Sequence, residues 1–134
     1  MGLITRASMF EPLLSADPSF APTWGEFLKE WCDTSDPPLH LALGELARYL
    51  IGKLAACDTD RFDAVFDVVE RWEIEGDGYV REAATIGLLE DLSNTGLHCS
   101  TTPEAFLAWL RPTSRQQWEK VQAFWRDGTL ITDT

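Results

Sequence analysis

The stretch Gly76-Asp77-Gly78-Tyr79-Val80-Arg81-Glu82-Ala83-Ala84-Thr85-Ile86-Gly87-Leu88-Leu89-Glu90-Asp91-Leu92 decides the fold. Asp77 is placed to cap a helix, and the residues after it are apolar nearly all round, with acidic residues at both ends. A helix that is hydrophobic on every face has to be buried on every face. The stretch therefore predicts the central spine of an all-helical domain.

Helix signals continue on both sides of the spine. Residues 60–74 predict a helix with Phe62, Val65, Phe66, Val69 and Trp72 inward, capped by Asp58 or Thr59 and ended by Gly76 in the usual place of a helix-ending glycine. Residues 38–56 carry Leu39, Leu43, Leu46, Leu50 and Leu54 in steps of four, three, four and four, a single apolar stripe. Asp36 is placed to cap that helix, with proline at its start. Upstream, residues 3–16 and 19–32 predict two helices separated by Pro18; the second presents Phe20, Trp24, Phe27, Leu28 and Trp31. Downstream, residues 93–101 form a polar connection, and Thr102-Pro103-Glu104 opens a short helix. Thr113 and Gln116 have capping-box spacing for a last helix to Arg126. The expected fold is all-α: a single domain over residues 1–134 with six or seven helices, in an antiparallel bundle or an irregular helical-repeat-like array. Residues 128–134 are expected to be a flexible tail, and no repeat of fixed period stands out.

A chain of 134 residues can close one core, and its 45% apolar content is that of a globular protein. Its charge is unusual: 22 acidic residues against 11 basic ones give −11. Such a chain repels nucleic-acid phosphates and anionic lipid headgroups and attracts basic surfaces. No segment approaches the roughly 20 apolar residues of a membrane span. There is no signal-peptide core, which makes the cytoplasm the expected compartment. Cys32, Cys57 and Cys99 are odd in number and widely spaced, as expected of buried small hydrophobes in a reducing environment.

Catalytic and metal-binding patterns are thin. Asp58, Asp60 and Asp63 imitate the start of a calcium loop, but Phe62, Asp63 and Val69 then occupy positions that need a ligand, a glycine and a bidentate glutamate. His40 and His98 are the only histidines and form no zinc-ligand cluster. His98 and Cys99 are neighbours in sequence, which rarely gives the geometry of an activated nucleophile. There is no nucleophile elbow and no phosphate-binding loop. No catalytic residue, metal ligand or cofactor is expected.

The charge distribution says more. Between Asp58 and Asp91 lie eleven acidic residues and three arginines, a net of −8 out of −11. Asp60, Asp63, Asp67 and Glu70 step by three, four and three and share one helix face, although like charges at this spacing repel by a few tenths of a kcal/mol each. A face that tolerates this repulsion is a candidate docking surface for a basic partner. The expected contact residues are Asp60, Asp63, Asp67, Glu70, Trp72, Glu73, Glu75 and Asp77. Trp72 is included because tryptophan beside charge is a common hot-spot composition. The other five tryptophans are expected mostly in the core.

Pro38-Leu39-His40-Leu41-Ala42-Leu43-Gly44, then Phe62 to Arg71, then the spine itself, with Tyr79-Val80-Arg81-Glu82-Ala83-Ala84 its most specific part, resemble a family of small, acidic, helical bacterial proteins without an assigned activity. The resemblance covers over a third of the chain. Comparable small acidic proteins often serve as immunity partners of secreted toxins. The resemblance thus implies an immunity protein that covers the basic active-site cleft of a cognate toxin domain. It supplies no functional residues of its own. Two other readings use the same features: a helical adaptor or scaffold that binds a basic cellular protein, and a small carboxylate-dependent enzyme.

Overall fold

The computed structural model describes residues 3–35 and 37–128. The expected cap at Asp36 and most of the expected tail, residues 129–134, lie outside them. Seven α-helices are present among the described residues: α1 (Phe10–Ala16), α2 (Ala21–Glu30), α3 (Leu39–Ala55), α4 (Phe62–Glu75), α5 (Gly78–Glu82), α6 (Glu90–Leu92) and α7 (Pro112–Asp127). Short 3-10 turns occupy Pro18–Phe20, Thr95–Leu97 and Pro103–Ala108. No strand is present among the described residues; one isolated parallel bridge joins Ile4 to Gly76.

The predicted spine is there, but it is not one α-helix. Ala83–Leu89, between α5 and α6, winds as a π-helix, and the Glu90 N–H reaches back five residues to the Thr85 carbonyl. π-Helical geometry is rare and usually confined to one turn. Here seven residues hold it because both flanks are occupied. Gly87 lies against α3, where a Cβ would come within 3.0 Å of Leu43 Cδ1. On another side, the Thr85 hydroxyl donates to Glu73 Oε2 of α4 at 2.8 Å. Ala83, Ala84, Leu88 and Leu89 are fully buried around them. The π segment touches α3, α4 and α7, so three long helices pack around it.

The stripes of α3 and α4 face this centre. Leu39, Leu43, Leu46 and Leu50 of α3 and Phe62, Val65, Phe66, Val69 and Trp72 of α4 are all buried. Each such side chain contributes about 1.5–3 kcal/mol on leaving water. Leu54 is half-buried at the end of its stripe. The Trp72 indole N–H donates to the Met9 carbonyl at 2.9 Å, which satisfies its polar atom inside the core. α1 and α2 add a row of rings, with Phe10 stacked on Trp24 at 4.2 Å, followed by Phe27 and Trp31.

Several local expectations are corrected. Residues 3–16 do not form one helix. Ile4 is extended, donates its N–H to the Glu75 carbonyl at 2.8 Å and accepts from the Asp77 N–H at 2.9 Å, so helix α1 starts only at Phe10. α4 begins after Arg61 without a side-chain cap, and Asp58 instead pairs with Lys53 at 2.9 Å. Gly76 does end α4, but with φ −74 and an extended ψ. Its lack of a Cβ matters for space, since a Cβ would clash with the Trp72 carbonyl and sit 2.6 Å from Val80 Cγ1. The Thr113–Gln116 capping box does not form, because α7 is capped from another helix. All three cysteines are exposed rather than buried; Cys57 has φ +58 just past α3.

If the Thr85–Glu73 bond holds the π segment on α4, Thr85→Val will destabilise the fold by about 1–3 kcal/mol, because it withdraws a donor from a buried carboxylate. Thr85→Ser will retain most of the stability. Urea unfolding followed by circular dichroism measures both.

Candidate interaction surface

The eight residues expected to contact a partner do not form one surface. Asp60, Asp63 and Asp67 are exposed; Asp63 and Asp67 lie on the outer face of α4 and Asp60 just before its first turn. α4 turns them outward because Phe62, Val65, Phe66 and Val69 take the core side. The face is partly neutralised by Arg111, just before α7. Arg111 Nε lies 3.7 Å from Asp67 Oδ1, and Arg111 Nη2 donates to the Asp63 carbonyl at 3.2 Å. A single sequence gives no signal for this arginine, which stands 44 positions beyond Asp67.

The other five have structural work. Trp72 is fully buried and cannot act as a surface hot spot. Glu73 is only 7% exposed and holds Thr85. A one-residue rotation along α4 separates it from the outer row, and its neighbour is the apolar spine. Glu75 pairs with Arg71 across one helical turn at 3.4 Å. Asp77 accepts from the Val80 N–H at 2.9 Å and caps α5, as the sequence predicts.

Glu70 has the most specific role. Its carboxylate accepts from the backbone N–H groups of Thr113 and Ser114 and from the Ser114 hydroxyl, at 3.0, 2.8 and 2.8 Å. These donors are among the unpaired N–H groups at the start of any helix, and the negative charge also suits the positive end of the helix dipole. Glu70 thus caps α7 from outside it. Burial pushes the Glu70 carboxyl up, but the hydrogen bonds from Thr113 and Ser114 together outweigh it and hold the pKa below the usual carboxylate value.

Two acidic residues at the end of the spine behave oppositely. Burial, and then the charge of Asp91, push the Glu90 carboxyl up. Burial also raises Asp91, against the lowering influence of Arg48 and His40. Asp91 Oδ2 lies close over the backbone of α3, 3.2 Å from where a Gly44 Cβ would be. Among the described residues, no group of three or more His, Cys, Asp or Glu side chains is arranged to hold a metal ion. Among those residues no helix is long and apolar enough to cross a membrane.

These features define an all-α single domain wound around a π-helical spine, with its exposed acidic row on α4. The chain belongs to the family described as a domain of unknown function, DUF7674, whose model matches residues 10–126. That match takes in every α-helix but for the last residue of α7. No curated protein and no solved structure matches the chain.

Glu70 makes the docking of α7 sensitive to acid. A carboxyl whose folded pKa is depressed adds stability above its unfolded value of about 4.3, and loses it as pH falls through the folded pKa. Glu70→Gln is expected to cost about 1 kcal/mol at neutral pH, the size of a lost helix cap. The gap between the two proteins will close in acid. Thermal melts of both at pH 7 and pH 3 test this; a gap of the same size at both values would rule out a charge-dependent cap.

Proposed function

We propose that the chain is an immunity protein of the bacterial cytoplasm, one that binds and neutralises a toxin effector by covering a basic active-site cleft with its acidic surface. The observation that carries this reading is the exposed pair Asp63 and Asp67, held on a helix whose opposite face is locked in the core, with exposed Asp60 in the turn just before it. Charges held on a packed helix cost little to bring to a partner. The net charge of −11 adds long-range attraction to a basic protein. A toxin that acts on nucleic acid or nucleotides needs positive charge at its cleft, and an acidic module competes with the substrate for that charge. The resemblance to small acidic immunity-type proteins supports the same reading. Glu70, Trp72, Glu73, Glu75 and Asp77 leave the proposed contact set, which contracts to Asp63 and Asp67 on the outer face of α4 and Asp60 in the turn before it.

The test is partner capture from the source cell with the wild-type chain as bait, followed by kinetics with the captured protein. Replacing Asp60, Asp63 and Asp67 together by lysine is expected to slow association by about tenfold or more at low salt. The effect will shrink as salt rises, and the helical spectrum will be unchanged. Arg111→Ala will act the other way, by removing the cation that partly neutralises Asp67. An association rate that ignores both the substitutions and salt would sink this choice of face. Capture of a protein without toxic activity would sink the immunity reading itself.

A further inference from the structure

Helix α2 is poorly embedded. Phe27 is its one buried residue, and Leu28 is 44% exposed. Between α2 and α3 runs a groove made of two clefts, of about 830 and 290 Å³, which share Phe27, Glu30 and Glu45. Phe27 forms the apolar floor. At the smaller cleft stand the half-buried ring of Trp31 and the side chain of Leu41, 54% exposed at the start of α3. An exposed leucine beside a half-buried tryptophan is the composition of an interface anchor.

The polar lining is acidic on balance, although Lys29 stands beside Glu26 in the larger cleft. Glu30, Glu45 and Asp91 face the smaller cleft together with one arginine, Arg48, and His40. Arg48 is already engaged, with Nη1 at 3.1 Å from Glu45 Oε1. The Asp91 carboxylate accepts no hydrogen bond from the described residues, although the charges of Arg48 and His40 act on it. Its carboxylate is pressed over Gly44 and partly withdrawn from water, so it lacks both a donor and full hydration. A carboxylate in that state favours an incoming cation with N–H groups. The aromatic floor favours the same group, since guanidinium and ammonium bind over indole and phenyl faces.

We propose that the α2–α3 groove is a docking site for an amphipathic, lysine- or arginine-bearing segment of another protein, with a cationic side chain between Asp91 and Glu30 and an apolar one against Leu41 and Trp31. The proposal is independent of the α4 face, which lies on other elements. It adds an apolar anchor, which the aspartate row lacks.

The probe is a 14-residue amphipathic helical peptide of leucine and lysine, with a leucine–glutamate peptide of the same pattern as control. Binding to the full chain is followed by titration calorimetry and by the tryptophan indole signals in nitrogen–proton NMR. The lysine peptide is expected to bind and to move the Trp31 signal, and the glutamate peptide to show no binding. Glu30→Gln with Asp91→Asn is expected to weaken the lysine peptide about tenfold, which is about 1.4 kcal/mol. Leu41→Ser, at an exposed position that does not endanger the fold, is expected to weaken it several-fold. Equal binding of both peptides, affinity unchanged in these variants, or no binding at all would overturn the proposal. The triple lysine variant at Asp60, Asp63 and Asp67 separates the two readings: unchanged peptide affinity places the peptide in the groove, and lost affinity with an unmoved Trp31 signal places it on α4 and overturns the groove.

Discussion

The hydrogen bond from Thr85 to the buried carboxylate of Glu73 is the interaction on which the arrangement of the helices depends. An acidic side chain that is 7% exposed is expensive to bury unless it has donors, by several kcal/mol for an ion. Thr85 supplies one, and to do so it must face α4 while Gly87, two residues on, faces α3. An α-helix turns about 100° per residue, and the wider π winding changes which residues share a face. The spine therefore gives up regular α geometry and in return gives a buried acidic side chain a partner on one side and packs backbone against Leu43 on the other. α3, α4 and α7 take their places around that compromise.

Carboxylates recur as joints elsewhere in the fold. Glu70 of α4 caps α7, Asp77 caps α5, and the buried Asp17 accepts from the Tyr49 hydroxyl at 2.9 Å and ties the first turns to α3. The acidic quarter of the chain thus divides by depth. Glu70, Glu73 and Asp77 fasten helices to one another, whereas Asp60, Asp63 and Asp67, exposed like Asp58 and Glu82, face outward. A surface drawn from net charge alone merges these two groups, although their energetic roles are opposite. Removing an inner carboxylate strands buried donors; removing an outer one relieves repulsion.

What the sequence made legible follows the range of each interaction. The stripes of α3 and α4 and the Asp77 cap depend on residues within a few positions of one another, and periodicity reveals them. The all-helical class follows from those stripes. The N-terminal bridge joins Ile4 to Gly76, and the α7 cap joins Glu70 to Ser114, pairs 72 and 44 positions apart with no local pattern. The π winding was hidden for another reason: a stretch that is apolar all round has the same pattern in either geometry. Cysteine content indicated buried thiols, yet the positions of Cys32, Cys57 and Cys99 in connections at the ends of helices put them at the surface. In the acidic row, spacing correctly gathered Asp63 and Asp67 on one face but could not tell that Glu70, one turn on, would be claimed by α7.

The π winding also bears on how this family can change in length. A π turn is an α turn with a residue to spare, so the stretch Ala83–Leu89 is where the spine holds its slack. Losing one residue there would take up that slack and restore plain α winding, because the seven π residues turn the chain by about as much as six α residues would. The helix after it would keep its face, with Leu92 in the core, Asp91 over Gly44, and Ser93 at the Trp125 indole from which it accepts at 2.9 Å. The same loss inside α3 or α4, where the winding is plain α, would swing everything after it by about 100° and turn an apolar stripe out of the core, so the spine, unlike those helices, has a residue it can shed.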